Sequence, residues 1–273
     1  MGLRIQNNVE AFNTHRQLTA TSSLASKSME KLSSGYRINR AADDAAGLAI
    51  SEKMRGQIGG LAQAQRNAQD GISLVQTAEG ALTEVHSMLQ RVRDLKVQYE
   101  NGTLNTDDKL AIVAEVSQLA SEMKDISSTT EFNGIKLLDG SQGTINFQVG
   151  ANGNETIGVT TVNAAGASGT SGISDVTDTA TWEAIDIEAI DGAIKNISTV
   201  RADFGAVQNR LEHRLNNLAT YQENLTASES RIRDVDMAAE MTKFTKLNIL
   251  QQAGTSMLAQ ANQAPQSVLS LLR

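Results

Sequence analysis

The sequence predicts a mainly α-helical protein: an elongated helical bundle or coiled coil with a small β-hairpin element and with its N- and C-terminal helices paired. Three observations predict this fold class. Apolar residues recur in steps of three and four along most of the chain. Aromatic residues make up only 3% of the 273 residues, with a single proline, which suits long helices packed side by side. One central region changes to a period of two.

Four apolar stripes predict the main helices. Between Leu61 and Tyr99, ten of twelve positions taken in steps of three and four are apolar, which predicts a long helix with a coiled-coil seam. A second stripe runs from Ile112 to Ile126, behind a Thr-Asp-Asp run at 106–108 that can cap a helix start. A third repeats every seven residues from Ile190 to Ile232, and a fourth runs from Leu247 to Leu271.

The β-hairpin is predicted where the period becomes two. TINFQVG (144–150) and ETIGVTTV (155–162) alternate apolar and polar residues. Asn152-Gly153 between them is a turn signal, so we expect a hairpin over about 144–162. The small, polar and aperiodic stretch at about 164–181 then predicts a short, variable surface loop.

A polar, basic segment interrupts the helical pattern between residues 32 and 51, LSSGYRINRAADDAAGLAIS. Gly35 is suited to end a helix because glycine tolerates a left-handed backbone. Asp43 or Asp44 is suited to begin the next helix as its N-cap. Residues 36–42 are therefore predicted to form a break between two helices.

No pattern of catalytic or cofactor-binding residues is recognisable, so we expect neither an enzyme nor a cofactor. The chain has no cysteine, and His15, His86 and His213 lie on separate predicted helices outside any zinc-binding spacing. The carboxylate pairs Asp43-Asp44 and Asp107-Asp108 stand at predicted helix starts, where the helix dipole already accounts for them.

The charge pattern argues against nucleic acid and membrane partners. The net charge of -7 is uneven: residues 101–190 hold three Lys and thirteen Asp or Glu, and the rest of the chain is about +3. No cluster of basic residues with interleaved aromatics is present. The longest uncharged stretch, residues 247–272, contains several Gln and Asn residues that would be costly in hydrocarbon, so we expect it to be buried against protein.

Seven segments of the chain resemble the bacterial flagellins, the subunits of the flagellar filament. The resemblance covers nearly everything except the middle, and Gln6, Val9 and Phe12 depart from the commonest residues of the family's opening motif. The segments are IQNNVEAFN (5–13), LSSGYRINRAADDAAGLAISEKMRGQI (32–58), QDGISLVQTAEGALTEVHSMLQRVRDL (69–95), TEFNGIKLLDG (130–140), GAVQNRLEHRLNNL (205–218), ESRIRDVDMAAEM (229–241) and ANQAPQSVLSLL (261–272).

The resemblance implies two domains. Residues 1–34 and 242–273 are expected to form an inner terminal coiled-coil domain, and residues 35–241 a spoke and an outer helical domain that carries the hairpin. Many family members insert large outer domains in the centre. Only the short segment at 164–181 stands in that place, so we expect those domains to be absent.

The function implied is that of a structural subunit that self-assembles head-to-tail into the hollow helical filament used for swimming. Such a subunit is extracellular and leaves the cell through the flagellar secretion apparatus. An N-terminal stretch without an apolar region fits secretion without a cleaved signal peptide. Expected partners are further copies, an export chaperone at the C-terminal region, and the hook-filament junction and cap proteins.

The resemblance and the apolar stripes together imply three sets of contact residues. Other copies are expected to cover an inner-core set: Ile5, Val9, Phe12, Leu247, Leu250, Met257, Val268 and Leu271. The spoke is expected to meet other subunits through Arg37, Asn39, Arg40, Asp43 and Asp44. A patch sensed in the family by an animal innate immune receptor corresponds to residues that the pattern alone places on a solvated helix face: Gln90, Arg91, Leu95 and Glu115.

Three other functions fit part of the pattern. The heptads alone also suit an intramolecular bundle or a cytoplasmic coiled-coil scaffold, which would form a discrete oligomer and needs no hairpin. An enzyme displayed on a filament would need a catalytic insert in the centre, where there is no room. A hook-filament junction protein shares the terminal patterns, but the full matches at 32–58 and 229–241 favour the main subunit.

Overall fold

The computed structural model describes residues 7–164, 173, 176 and 179–271, with the side chains described up to residue 263. These residues fall into two compact units. The terminal unit contains the described residues up to Gly56 and from Asn224 onward, and the central unit spans Gln57–Glu223.

The described part of the chain contains six helices and four short strands, which confirms the predicted fold class of a mainly helical protein with a small hairpin. The helices are α1 (Val9–Ser34), α2 (Ala45–Tyr99), α3 (Thr106–Thr129), α4 (Thr179–Glu183), α5 (Ile187–Arg233) and α6 (Met237–Leu271). The strands are β1 (Glu131–Phe132), β2 (Ile135–Lys136), β3 (Thr144–Gln148) and β4 (Thr156–Thr160).

In the terminal unit, α1 and α6 pack against each other along their lengths, as predicted for the two chain ends. Leu18 of α1 lies opposite Gly254 of α6. Ser28 hydrogen-bonds Glu240, while the start of α1 lies near Ala261. Since low numbers on one helix meet high numbers on the other, the pair is antiparallel.

The core of the central unit lies between α2, α3 and α5. Most residues of the predicted stripes in this unit are buried. Ile173 and Val176 are buried with them, so the expectation that the stretch at about 164–181 lies on the surface is wrong at these two apolar residues, which pack with Trp182 of α4. One hydrophobic cluster includes Leu82, Leu89, Val116, Ile190, Ile197 and the chain's single tryptophan, Trp182.

The predicted hairpin is confirmed and packs on helices of the central unit. β3 and β4 pair antiparallel from Thr144 opposite Thr160 to Gln148 opposite Thr156. The amide of Asn67 in α2 donates to the Gln148 carbonyl (3.0 Å), and the guanidinium of Arg214 in α5 donates to the Val149 carbonyl (2.9 Å).

Two residues interrupt the apolar stripe of α2, and the fold explains both. At Gly71 a Cβ atom would lie only 3.3 Å from the Phe147 ring, so glycine lets the hairpin approach the helix. Lys96 is buried because its Nζ atom donates to the Trp182 carbonyl (3.2 Å) and lies 5.2 Å from the Trp182 ring centroid, a cation–π distance. Position 96 thus fixes α4 against α2.

The start of α3 differs in detail from the sequence prediction. Asn105, rather than the Thr-Asp-Asp run that follows it, is the N-cap. Its side-chain oxygen accepts from the Asp108 backbone N–H (2.7 Å), and the Asp108 carboxylate accepts from the Asn105 N–H (3.3 Å). This reciprocal pair is a capping box, so Asp108 contributes to the cap from inside the helix.

We expect Leu82→Ala to lower the free energy of unfolding by about 2–5 kcal/mol, because Leu82 is fully buried and the truncation leaves a cavity. Urea unfolding followed by Trp182 fluorescence measures the loss. Leu110→Ala is the matched control, since Leu110 is half-exposed and its truncation should change stability by less than about 0.5 kcal/mol. Equal losses in the two variants would contradict the assigned core.

Candidate functional site: the paired terminal helices

The antiparallel seam between α1 and α6 is closed at both ends by polar contacts. At one end Asn8 caps α1, its side-chain oxygen accepting from the Ala11 N–H (3.0 Å), while its amide nitrogen donates to the Ala261 carbonyl (2.7 Å). One side chain therefore both starts α1 and attaches it to α6.

Toward the other end of the seam, Ser28 donates to the Glu240 carboxylate, and both residues are buried. Lys243 Nζ lies 3.6 Å from the same carboxylate. Burying a carboxylate costs free energy unless it is paired and hydrogen-bonded. A sliding of α1 along α6 would separate these groups, so the pair fixes the register of the two helices.

The seam leaves many large apolar side chains uncovered. Of the thirteen such side chains that are exposed among the described residues, ten belong to the terminal unit, although it is the smaller of the two units. Single exposed apolar residues are ordinary, but this concentration on one unit marks an interaction surface. The ten are Val9, Phe12, Leu24, Met29, Ile50, Met237, Met241, Ile249, Leu250 and Met257.

The predicted inner-core residues divide into three groups. Val9, Phe12, Leu250 and Met257 are exposed, Phe12 at 72% of its surface. Leu247 is only 7% exposed, because the chain's own packing already covers it. Ile5 and the side chains of Val268 and Leu271 lie outside the described residues.

The predicted break between the first two helices is formed by a short backbone pairing. Gly35 ends α1 with a left-handed φ of 76°, and its N–H donates to the Lys31 carbonyl (2.9 Å), which confirms its capping role. The next residues pair with the connection between α5 and α6: the Val235 N–H donates to the Gly35 carbonyl (3.0 Å) and the Arg37 N–H to the Arg233 carbonyl (2.6 Å). The break and the connection between α5 and α6, which both belong to the terminal unit, are therefore joined to each other.

Each predicted spoke residue has a partner within its own chain. The Arg37 guanidinium donates to the Ile232 carbonyl, that of Arg40 to the Glu30 carboxylate, and the Asn39 amide to the Ser34 hydroxyl. Their contacts with other copies stay a prediction.

The two aspartates of the break accept hydrogen bonds from different backbone groups. Asp43 accepts from the backbone N–H groups of Arg40 and Asn39, and these hydrogen bonds lower the pKa of its carboxyl. Asp44 precedes α2 and accepts from the Gly47 N–H (2.8 Å), so of the two candidates it is the N-cap.

Arg233 was not predicted from the sequence as a site residue, yet it connects three elements. Its guanidinium pairs with Glu52 of α2 and stacks 4.8 Å from the Tyr36 ring centroid. The hydrogen bond from Arg233 lowers the pKa of Glu52. The sequence gives no signal that this arginine connects the three elements, because its partners are distant along the chain.

Only part of the predicted receptor patch is exposed to solvent. Gln90 and Arg91 are exposed, and Arg91 forms a salt bridge with Glu115 (2.7 Å). Leu95 is 1% exposed, so its assignment to a solvated helix face is wrong. It belongs to the hydrophobic cluster, because a helix packed against two others needs a wider apolar face than one seam.

The described residues include neither a metal-binding cluster nor a membrane-spanning helix. Among them, no group of three or more His, Cys, Asp or Glu residues is placed to hold a metal ion. None of the helices in the described ranges combines the length and apolar character needed to cross a membrane.

Paired chain ends that keep most of their large apolar side chains exposed are suited to a structural protein that assembles with further copies. Family models match on both sides of the centre: the bacterial flagellin N-terminal helical region at residues 5–143 and the bacterial flagellin C-terminal helical region at 187–272. These matches cover well over half of the chain. The chain belongs to the bacterial flagellin family.

Individual relatives agree over the whole length. A flagellin of Halalkalibacterium halodurans is 55% identical, over 98% of this chain and 99% of the relative. A flagellin of Bacillus subtilis is 51% identical, over 99% of this chain and 100% of the relative. The crystal structure of Bacillus cereus flagellin is similar with a TM-score of 0.51 and 36% identity, covering 56% of this chain and 88% of that one.

We expect Asp44→Ala to destabilise the chain by about 1 kcal/mol, because the first turn of α2 loses its N-cap. Asp44→Asn is the matched control, since it keeps an oxygen that can accept from the Gly47 N–H. Urea unfolding followed by far-UV circular dichroism measures both variants. A loss in Asp44→Asn as large as in Asp44→Ala would assign the effect to charge and contradict capping.

The contact between Glu52 and Arg233 predicts a pH dependence. Because the pKa of Glu52 lies below its ordinary value of 4.5 in the folded chain, the contact stabilises the fold above that pH, and its contribution is lost as the pH falls through the lowered pKa. Glu52→Gln should therefore lower Tm at neutral pH, with a difference from the unmodified protein that shrinks in acid. Thermal melts across a pH series test this; a pH-independent difference would count against it.

Proposed function

We propose that this flagellin is the structural subunit of a bacterial flagellar filament, with neighbouring copies covering the apolar face that α1 and α6 leave exposed. The observation that carries the proposal is the concentration of exposed apolar side chains on the terminal unit of a flagellin-family chain. The occupant of this face is a second copy of the same chain, because a structural family built from one subunit must provide its own partner.

The physical chemistry of this face favours an open polymer. Each Å² of apolar surface that a neighbour covers contributes roughly 25 cal/mol, so many small contacts add up along the helices. A head-to-tail contact that does not close into a ring produces a helical filament. The exposed residues lie on both α1 and α6, so one copy offers several separate contacts to its neighbours.

The domain division of the family is proposed for this chain as well. Residues 1–34 and 242–273 would form the inner domain, and 35–241 the spoke and outer domain. The chain break at Gly35 supports this division, since it ends the first segment of the proposed inner domain and its backbone pairs with residues 233–235, shortly before the second segment. Arg37, Asn39, Arg40, Asp43 and Asp44 are then the proposed spoke contacts.

We propose the remaining roles on the basis of family membership. The subunit is exported by the flagellar secretion apparatus and acts outside the cell, in swimming motility. Its proposed partners are an export chaperone at the exposed apolar face of α6, the cap and hook-filament junction proteins, and an animal innate immune receptor. For the receptor, the accessible residues are Gln90, Arg91 and Glu115.

The test of filament formation is a substitution on the exposed face. We expect Leu250→Glu to abolish filaments or raise the critical concentration for assembly at least about tenfold, because it places a charge where a neighbouring copy packs. Leu250→Met, which conserves volume and apolar character, should assemble like the unmodified chain. Sedimentation and electron microscopy after heating and cooling measure assembly.

Circular dichroism should show that both variants stay folded, since Leu250 is exposed in the single chain. Filaments of Leu250→Glu at the unmodified yield would refute the proposed face. A discrete oligomer from the unmodified chain, in place of filaments, would favour a coiled-coil scaffold instead.

A further inference from the structure

Methionine is the only sulfur-containing residue of the chain, with eight Met and no Cys. Seven methionines are described, and four of them are clearly more exposed than Met54 and Met88, which are half-buried, and Met123, which is buried. Met29, Met237, Met241 and Met257 are each 48–55% exposed, and all four belong to the terminal unit. The central unit holds Met88 and Met123, which pack against or within its hydrophobic cluster.

Two of the exposed thioethers lie in shallow grooves of the terminal unit. Met241 lines a groove on α6 together with Ile249 and Leu250. Met257 lines a groove between the two helices, beside Thr14 and Gln17 of α1. Met241 therefore lies beside Leu250, which the proposed function assigns to neighbouring copies, and Met257 lies in the groove between the paired helices. Met29 and Met237 are exposed on the same unit.

We propose that Met29, Met237, Met241 and Met257 form an oxidation-sensitive control of assembly, a modification site for peroxides; this inference rests on the proposed function. A sulfur lone pair attacks one oxygen of hydrogen peroxide, the O–O bond breaks, and an S–O bond forms. The thioether is oxidised by two electrons to the sulfoxide, and the peroxide is reduced to water, its leaving hydroxide taking up a proton. A thiol-dependent sulfoxide reductase reverses the change.

The sulfoxide impairs assembly because it makes the apolar contact surface more polar. It turns a flexible apolar side chain into a polar one, and a polar group that is buried without a hydrogen bond destabilises the contact. Copies oxidised before assembly are therefore excluded from the filament. Copies already assembled have these sulfur atoms covered and are protected, so the control acts on the free subunit.

The experiment treats the free chain with hydrogen peroxide, removes the peroxide with catalase, and measures assembly by sedimentation. Peptide mass mapping should find that the four exposed methionines are converted to sulfoxide earlier in the treatment than Met88 or Met123. The critical concentration should rise at least about tenfold, from the cost of burying several unpaired polar groups. Reductase treatment should restore assembly, and preformed filaments should resist the same dose.

Two variants are each compared with their own untreated sample. The quadruple variant carries Met29→Leu, Met237→Leu, Met241→Leu and Met257→Leu, and the control variant carries Met88→Leu and Met123→Leu. We expect peroxide to leave assembly of the quadruple variant unchanged and to impair the control as it impairs the unmodified chain. Equal impairment of both variants, or full assembly of the oxidised unmodified chain, would overturn the proposal.

A second measurement does not depend on any variant. When a partly oxidised sample assembles, sulfoxide at the four positions should be enriched in the supernatant over the pellet. Equal distribution between the two fractions would overturn the oxidation control. Failure of the untreated chain to form filaments would instead overturn the proposed function, so the two failures are distinguishable.

Discussion

The antiparallel seam between α1 and α6 is the contact on which the terminal unit depends. Its register is fixed by the buried hydrogen bond between Ser28 and Glu240 and by the attachment of Asn8 to α6. Because the seam buries mostly small residues of α1, such as Ala25 and Ser28, it holds the two chain ends together while leaving most of their large apolar side chains uncovered. The same contact thus brings the ends together and leaves a surface available to other copies.

The central unit follows a different packing rule. Its helices bury most of their stripes in two hydrophobic clusters, and few of its described large apolar side chains remain exposed. The hairpin adds polar contacts to the helices, and Lys96 attaches α4 through hydrogen bonding and cation–π contact. The central unit therefore packs most of its large apolar side chains within the chain, whereas the terminal unit exposes those that the proposed function assigns to neighbouring copies. For a filament subunit this division separates folding from assembly.

The break at Gly35 lies within the terminal unit and is held by contacts of that unit. Its backbone pairs with the connection that follows α5, and Arg233 adds contacts to Glu52 and Tyr36. The charged residues that the family resemblance assigns to contacts between copies have partners within the chain. A residue such as Arg40, already paired with Glu30, would have to exchange or share that partner in a filament.

The sequence by itself determined the long helices, the β3–β4 hairpin and the family, because periodicity, turn dipeptides and long motifs are local properties of the chain. The pairing of the ends followed from the family resemblance and from two apolar termini that need partners, whereas the short α4, β1 and β2 had no such signal. Only the tertiary structure decided which apolar residues stay exposed, since one stripe looks the same whether its own chain or another copy covers it. Leu247 and Leu250 share a stripe, yet one is buried and the other is not. Leu95 and Arg233 were misjudged or missed for the same reason: their environments are built by residues far away in the sequence.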